Sequence, residues 1–198
     1  MMTPSAKFPG YKIILASRSP RRRELLKELG IEFEVALMNY DESYPEGLNG
    51  EEIALHIAIA KARSFRNNIA GDEIVITADT IVWCNGEVLG KPVDEEDAKS
   101  ILGKISGRTH EVITGVCLLS KLHEKSFTVS TNVTFCTLTD EEIKYYIDHY
   151  DPYDKAGAYG IQEWIGIIGC SRIEGSYFNV VGLPVQRLYR ELQEFVKL

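Results

Sequence analysis

Four arginines fall within the short segment SRSPRRREL: Arg18, Arg21, Arg22 and Arg23. Ser19 is a good helix N-cap and Pro20 suits the first helical position, so the cluster crowds the N-terminal end of a predicted helix. The dipole is already positive there, and each added cation costs about 0.3 to 1 kcal/mol. Free helix N–H groups, serine hydroxyls and guanidinium forks all suit phosphate oxygens, so a bound anion would offset those costs. A solvated basic turn that pairs with surface acids is the other reading. Asp79 is the second chemical position. It interrupts the apolar and β-branched run from Ile74 to Trp83, where a carboxylate is costly to bury unless paired, protonated or metal-bound. It reads as a base, a metal ligand or a cap for backbone N–H groups at a strand end, and Thr80 beside it as a β-former or a hydroxyl contact.

Lys61 shares a predicted helical face with Ala54, Ile57, Ala58 and Phe65, so its ammonium either snorkels past an apolar stripe or points into a cleft. Lys91, between Gly90 and Pro92, presents a point charge suited to a phosphate, or is an exposed turn lysine. Asp41 and Glu42 carry the hard oxygens that Mg²⁺ prefers, although adjacent loop acids are commonly just solvated. The histidines His56, His110, His123 and His149 show no ligand spacing, and no GxSxG or P-loop pattern occurs, so nucleophilic catalysis has no support.

These residues need elements to hold them. A strand is expected over Ile13 to Ala16, then a helix carrying Leu25, Leu26 and Leu29 and closed by Gly30. A short strand over Phe33 to Leu37 leads through a polar loop to a long helix from about Glu51 to Asn67. The β-rich run containing Asp79 is followed by Asn85-Gly86, a strong hairpin signal, and Asp94 caps a helix reaching Ile105. Thr109 to Ser120 and Ser126 to Leu138 read as an antiparallel hairpin, and Thr139 with Glu142 as a capping box for a helix ending near Tyr150. Short apolar strands are expected between Gly157 and Gly182. Pro184 opens a last helix with Val185, Leu188, Leu192 and Phe195 on one face.

The chain has 198 residues, 44% hydrophobic and 26% charged, an ordinary globular composition. Its 22 basic and 29 acidic residues give a net charge of −7, which argues against broad nucleic-acid binding. Any anion site must be local. The four cysteines, Cys84, Cys117, Cys136 and Cys170, form no CxxC pair and are expected as buried reduced thiols. No run reaches the length of a membrane span and no signal region is evident, so a cytoplasmic location is expected. Residues 1–10 are expected as a poorly ordered extension, and 11–198 as one α/β domain.

Taken in order, ILASRSPRRRELL, ADTIVWCNGEVLGKP, SGRTHEVITGV, DKAGAYGIQ and GLPV resemble the Maf family of nucleoside triphosphate pyrophosphatases from about Ile13 onward. The resemblance implies an α/β fold like that of inosine triphosphate pyrophosphatases, with a mixed sheet, flanking helices and two lobes around a cleft. It implies cleavage of a nucleoside triphosphate to the monophosphate and pyrophosphate with a divalent metal, Mg²⁺ or Mn²⁺. It makes Asp79 the proton acceptor and sets Ser17, Arg21, Arg22, Lys61, Lys91 and Gln162 around the nucleotide. At Arg21, Thr80 and Gln162 the chain is similar to members that prefer dTTP and UTP. Asp41 aligns with a loop acid that is often Glu in the family, and Glu42 stands next to it, so both are metal-ligand candidates together with Asp79. The implied partner is the nucleotide, with no nucleic acid and no membrane; a homodimer is left open. A non-catalytic nucleotide-binding regulator of cell division is the alternative from another class.

Overall fold

The structure, a computed structural model, describes Phe8 and residues 10–198. The extension expected over residues 1–10 lies mainly outside the described residues. The apolar KIIL forms β1 (Lys12–Leu15). Ser19 then caps α1 (Pro20–Glu28), its side chain accepting from the Arg22 N–H at 3.4 Å, and Gly30 takes a positive φ of 74° just past the helix end, where a side chain would be strained. β2 (Glu34–Val35) is shorter than the five residues expected. Asn49 and Glu52 form a reciprocal capping box at the start of α2 (Gly50–Arg63), which stops before the expected Asn67 in a run of turns.

β3 (Glu73–Cys84) carries Asp79, and Asn85 (φ 51°) with Gly86 (φ 84°) turns it into β4 (Glu87–Leu89). Positive φ at both positions is what a tight two-residue hairpin loop requires. Asp94 caps α3 (Glu95–Ile105); β5 (Thr109–Leu119) and β6 (Glu124–Phe135) follow, then α4 (Asp140–Tyr150) behind the Thr139–Glu142 capping box. The last elements are α5 (Trp164–Gly169), β7 (Cys170–Glu174), α6 (Tyr177–Val181) and α7 (Val185–Phe195). Among the described residues the sheet has seven strands, in the order β2-β1-β3-β5-β6-β7 with β4 paired to β3. It is mixed: β1 runs parallel to β2 and β3, whereas β4 and β7 are antiparallel to their partners.

The chain divides into two compact units. The first comprises the residues up to Asp79, Thr114–Val129 and Gly182–Leu198. In it α2 lies close to the sheet, because the face it turns inward carries the small residues Ala54, Ala58 and Ala62. A Cβ at Gly115 of β5 would fall 2.3 Å from the Ala54 carbonyl oxygen, closer than any side chain tolerates. The hydroxyl of Thr77 donates to the Ala58 carbonyl at 2.7 Å, pinning α2 to β3 two residues before Asp79. The second unit comprises Thr80–Ile113 and Ser130–Val181; its core includes Leu102, Ile105, Phe135, Tyr146 and Ile165. Among the described residues no helix is long and apolar enough to cross a membrane.

Two expectations are corrected. The segment from Gly157 to Gly182 contains two short helices around a single strand rather than several strands. Its WIGIIG run coils because Gly166 packs against the Ile161 carbonyl, leaving no room for a Cβ, and it leaves Ile167 exposed. Cys84 and Cys117 are buried free thiols, but Cys170 is half-buried and Cys136 exposed, since it follows Phe135 where β6 has ended.

Candidate active site

Lys61 and Asp79 meet. The Lys61 Nζ donates to Asp79 Oδ1 at 2.6 Å, with 11% and 19% of the two side chains exposed. Lys61 reaches the pair from the last turn of α2 and Asp79 from the middle of β3; the Thr77 tie to Ala58 sets the register of helix against strand. Lys61 is buried rather than carried out to solvent. Burial lowers its pKa, while Asp79 and, more weakly, Glu42 act in the opposite direction and Arg22 adds to the lowering.

Arg22 lies beside this pair. Its Nε donates to the Gly182 carbonyl and its Nη1 to the Ala78 carbonyl, both at 2.8 Å. It therefore clamps the backbone immediately before Asp79 as well as placing a cation in the site. Burial lowers the Arg22 pKa, opposed by Asp79. Ser17 is buried and its hydroxyl accepts from the Ser19 N–H at 3.2 Å, which shapes the turn between β1 and α1. Arg21 is half-buried in the first turn of α1, a turn without acidic residues, as in α5 and α7, whereas α2, α3 and α4 carry Glu or Asp in theirs.

The loop acids separate. The Asp41 carboxylate accepts from the Ser43 N–H at 2.9 Å, and this bond holds its pKa below the usual range. Glu42 is the acid that acts on Lys61. Its carboxylate accepts from the Tyr40 hydroxyl, and the Tyr40 ring lies under the Lys61 ammonium, 5.0 Å from centroid to Nζ. Burial and the Glu42 contact raise the Tyr40 pKa, so the phenol stays protonated. Tyr40 was not singled out in the sequence, where a lone tyrosine in a polar loop carries no spacing signal. Asp79 thus accepts from the buried ammonium directly, whereas Glu42, an exposed acid bonded to Tyr40, acts on it only weakly through space. Among the described residues no group of three or more His, Cys, Asp or Glu gathers around one point.

Three candidate residues belong to the second unit. Thr80 is half-buried in β3, and Lys91 and Gln162 are exposed. The Gly157 N–H donates to the Gly90 carbonyl at 3.0 Å, so the GKP loop bearing Lys91 is joined to the DKAGAYGIQ loop bearing Gln162. A Cβ at Gly157 would fall 2.7 Å from the Val82 side chain, and its φ of 71° also favours glycine.

Residues 12–195 match the family described as Maf-like protein. The chain is 60% identical over 185 residues to the dTTP/UTP pyrophosphatase of Phocaeicola vulgatus, covering 93% of this chain and 96% of that protein. It is 54% identical over 190 residues to the dTTP/UTP pyrophosphatase of Bacteroides fragilis, covering 96% and 98%. Among solved structures the Staphylococcus aureus Ham1 protein superposes with a TM-score of 0.53 at 16% identity, over 93% of this chain and 99% of that one. At that identity the likeness concerns the fold alone.

Proposed function

This chain belongs to the Maf-like protein family, and from that premise we propose that it is a nucleoside triphosphate pyrophosphatase that hydrolyses dTTP and UTP to the monophosphate and pyrophosphate with a divalent metal. The observation that carries the chemistry is the Lys61–Asp79 pair, a carboxylate and an ammonium held 2.6 Å apart in a site bordered by Arg22 and the arginine-rich start of α1. The names of close relatives support the reaction and the substrate class.

In this reading a water oxygen attacks the α-phosphorus, and the bond from that phosphorus to the oxygen bridging to the β-phosphorus breaks. Asp79 orients the water and accepts its proton. Lys61 holds the carboxylate in place and shares its charge with the phosphates as they arrive. Arg21 and Arg22 offset the negative charge of the triphosphate, as does Lys91 from its own loop. Gln162 offers an amide donor and acceptor side by side, which complements the alternating groups on a uracil or thymine edge. Asp79 and Glu42 fit a hard cation, since Mg²⁺ is usually held by one or two carboxylates together with substrate phosphates. When bound, such a metal supplies Lewis-acid polarisation of the phosphoryl oxygens.

The test is pyrophosphate release by the purified chain from dTTP, UTP, CTP and GTP, with Mg²⁺ or Mn²⁺ and with a chelator. Turnover of dTTP and UTP well above CTP and GTP, abolished by the chelator, is the expected result. Nucleotide binding without pyrophosphate release would favour the non-catalytic regulator instead.

A further inference from the structure

We propose that Tyr146, Lys155 and Glu163 are positioning residues that hold Gln162 at the angle base recognition needs, an inference that rests on the reading of Gln162 as the base contact. The turn from Gly160 to Glu163 is closed by a backbone hydrogen bond and bridged by one hydroxyl. Glu163 N–H donates to the Gly160 carbonyl at 3.0 Å. The Gly160 N–H donates to the Tyr146 Oη at 3.0 Å, and that hydroxyl in turn donates to the Glu163 carboxylate. One buried phenol of α4 therefore grips both ends of the turn.

The rest of the constellation fixes the carboxylate. Lys155, 7% exposed, lies 3.3 Å from Glu163 Oε1 and 2.9 Å from Asp154 Oδ1. It also donates to the Asp151 and Tyr150 carbonyls at 3.2 and 3.5 Å, which ties the network to the end of α4. A Cβ at Gly160 would fall 2.7 Å from the Glu163 carboxyl carbon, so the acid packs flat against the glycine. Ile161 is buried, and the Gly166 Cα stands too close to its carbonyl for any side chain there. Gly160 and Ile161 are thus locked inward, and Gln162 is left as the exposed side chain of the turn.

A largely buried ion pair is weak evidence of stabilisation, because its desolvation offsets most of the attraction. Its physical use here is geometric. An amide that must match a donor and an acceptor on one base edge tolerates little displacement, and a misplacement of about 1 Å can cost on the order of a hundredfold in rate. Burial and the Glu163 contact also raise the Tyr146 pKa, so the hydroxyl remains a donor throughout the working range.

The experiment is a double-mutant cycle read as substrate choice, the ratio of kcat/KM for dTTP to that for CTP, in the parent, Tyr146→Phe, Gln162→Ala and the double variant. A ratio of specificity constants does not depend on how much of each preparation is folded. Tyr146→Phe should lower the ratio about tenfold, mainly through a raised KM for dTTP, and should lower it no further once Gln162 is already Ala. Equal effects in both backgrounds, or no effect with Gln162 present, would overturn the positioning role. If Gln162→Ala itself leaves the ratio unchanged, the reading of Gln162 falls and the proposal with it, a pattern distinct from failure of Tyr146→Phe alone. Should Tyr146→Phe not fold, Glu163→Gln takes its place in the cycle with the same expected and overturning results.

Discussion

Replacing Asp79 by Asn separates chemistry from architecture, because the two make different demands on this side chain. Asn keeps the volume, and its carbonyl oxygen can still accept from the Lys61 ammonium now bonded to Oδ1 at 2.6 Å. What disappears is the negative charge and the basic oxygen. Loss of a general base should cut turnover of dTTP by about 100-fold or more. The structural cost is that of leaving a largely buried ammonium without its counter-charge, eased by the hydrogen bond that Asn keeps, so the variant should lose on the order of 2 kcal/mol. For a chain of this length that is a fall in Tm of about 4 to 8 °C. Asp79 is also the strongest influence opposing the lowering of the Lys61 pKa by burial. Without it the Lys61 pKa in the folded state drops further below its unfolded value of 10.5, and the unfolded chain binds more protons between those two values. Stability then rises with pH in that window, so the Tm deficit of the variant should shrink under alkaline conditions. Pyrophosphate release and thermal melting on the same preparations are the assays. Turnover within a few-fold of the parent, or a Tm loss above about 10 °C with activity falling in step, would refute the assignment.

The two loop acids should behave differently: Glu42→Gln should raise the Mg²⁺ concentration needed for half-maximal activity by about tenfold or more, whereas Asp41→Asn, whose carboxylate is engaged with Ser43, should change it little, as a metal titration of each variant will show. Gly115→Ala should push α2 away from the sheet, because the new Cβ would meet the Ala54 backbone at 2.3 Å; a loss of at least about 2 kcal/mol is expected, seen as a fall in Tm of about 4 to 8 °C with weaker dTTP turnover. His110 is buried, shares a hydrogen bond with the Tyr159 hydroxyl at 2.8 Å, and has its pKa pushed down by burial from 6.5 to about 4. The folded state thus stays neutral while the unfolded chain takes up a proton as pH falls below 6.5, so stability should decline from pH 6.5 towards 4 by up to about 3 kcal/mol. His110→Gln should flatten that part of the curve of Tm against pH, and parallel curves would contradict the argument.

Much of the local structure was legible in the sequence. The caps at Ser19, Asp94 and Thr139 and the turn at Asn85-Gly86 all stand where expected, as does the apolar stripe of α7. These are effects of residues adjacent or three to four positions apart, and the sequence displays such spacings directly. Where the signal was weak, the expectation slipped. The WIGIIG run reads equally well as strand or helix, and the close approach of Gly166 to the Ile161 carbonyl decides it. Cys136 looks apolar in context, but its exposure depends on where β6 stops.

The sequence by itself determined the kinds of chemistry at hand: a cationic helix start with no acids in its first turn, a carboxylate inside an apolar strand, and a chain too acidic for any but a local anion site. It could not pair them. Lys61 and Asp79 are 18 residues apart, and Arg22 is bonded to carbonyls 56 and 160 residues away. Only the packing of α2 on the sheet, fixed by Thr77 of β3 and by the missing side chain at Gly115 of β5, brings the ammonium to the carboxylate. The different surroundings of Asp41 and Glu42 have the same origin. Neighbours in the chain with the same charge are nearly equivalent to any pattern, and they differ here because the loop turns one carboxylate to Ser43 and the other to Tyr40. Contacts of that kind depend on the direction of each side chain in space, a property that exists only once the chain has folded.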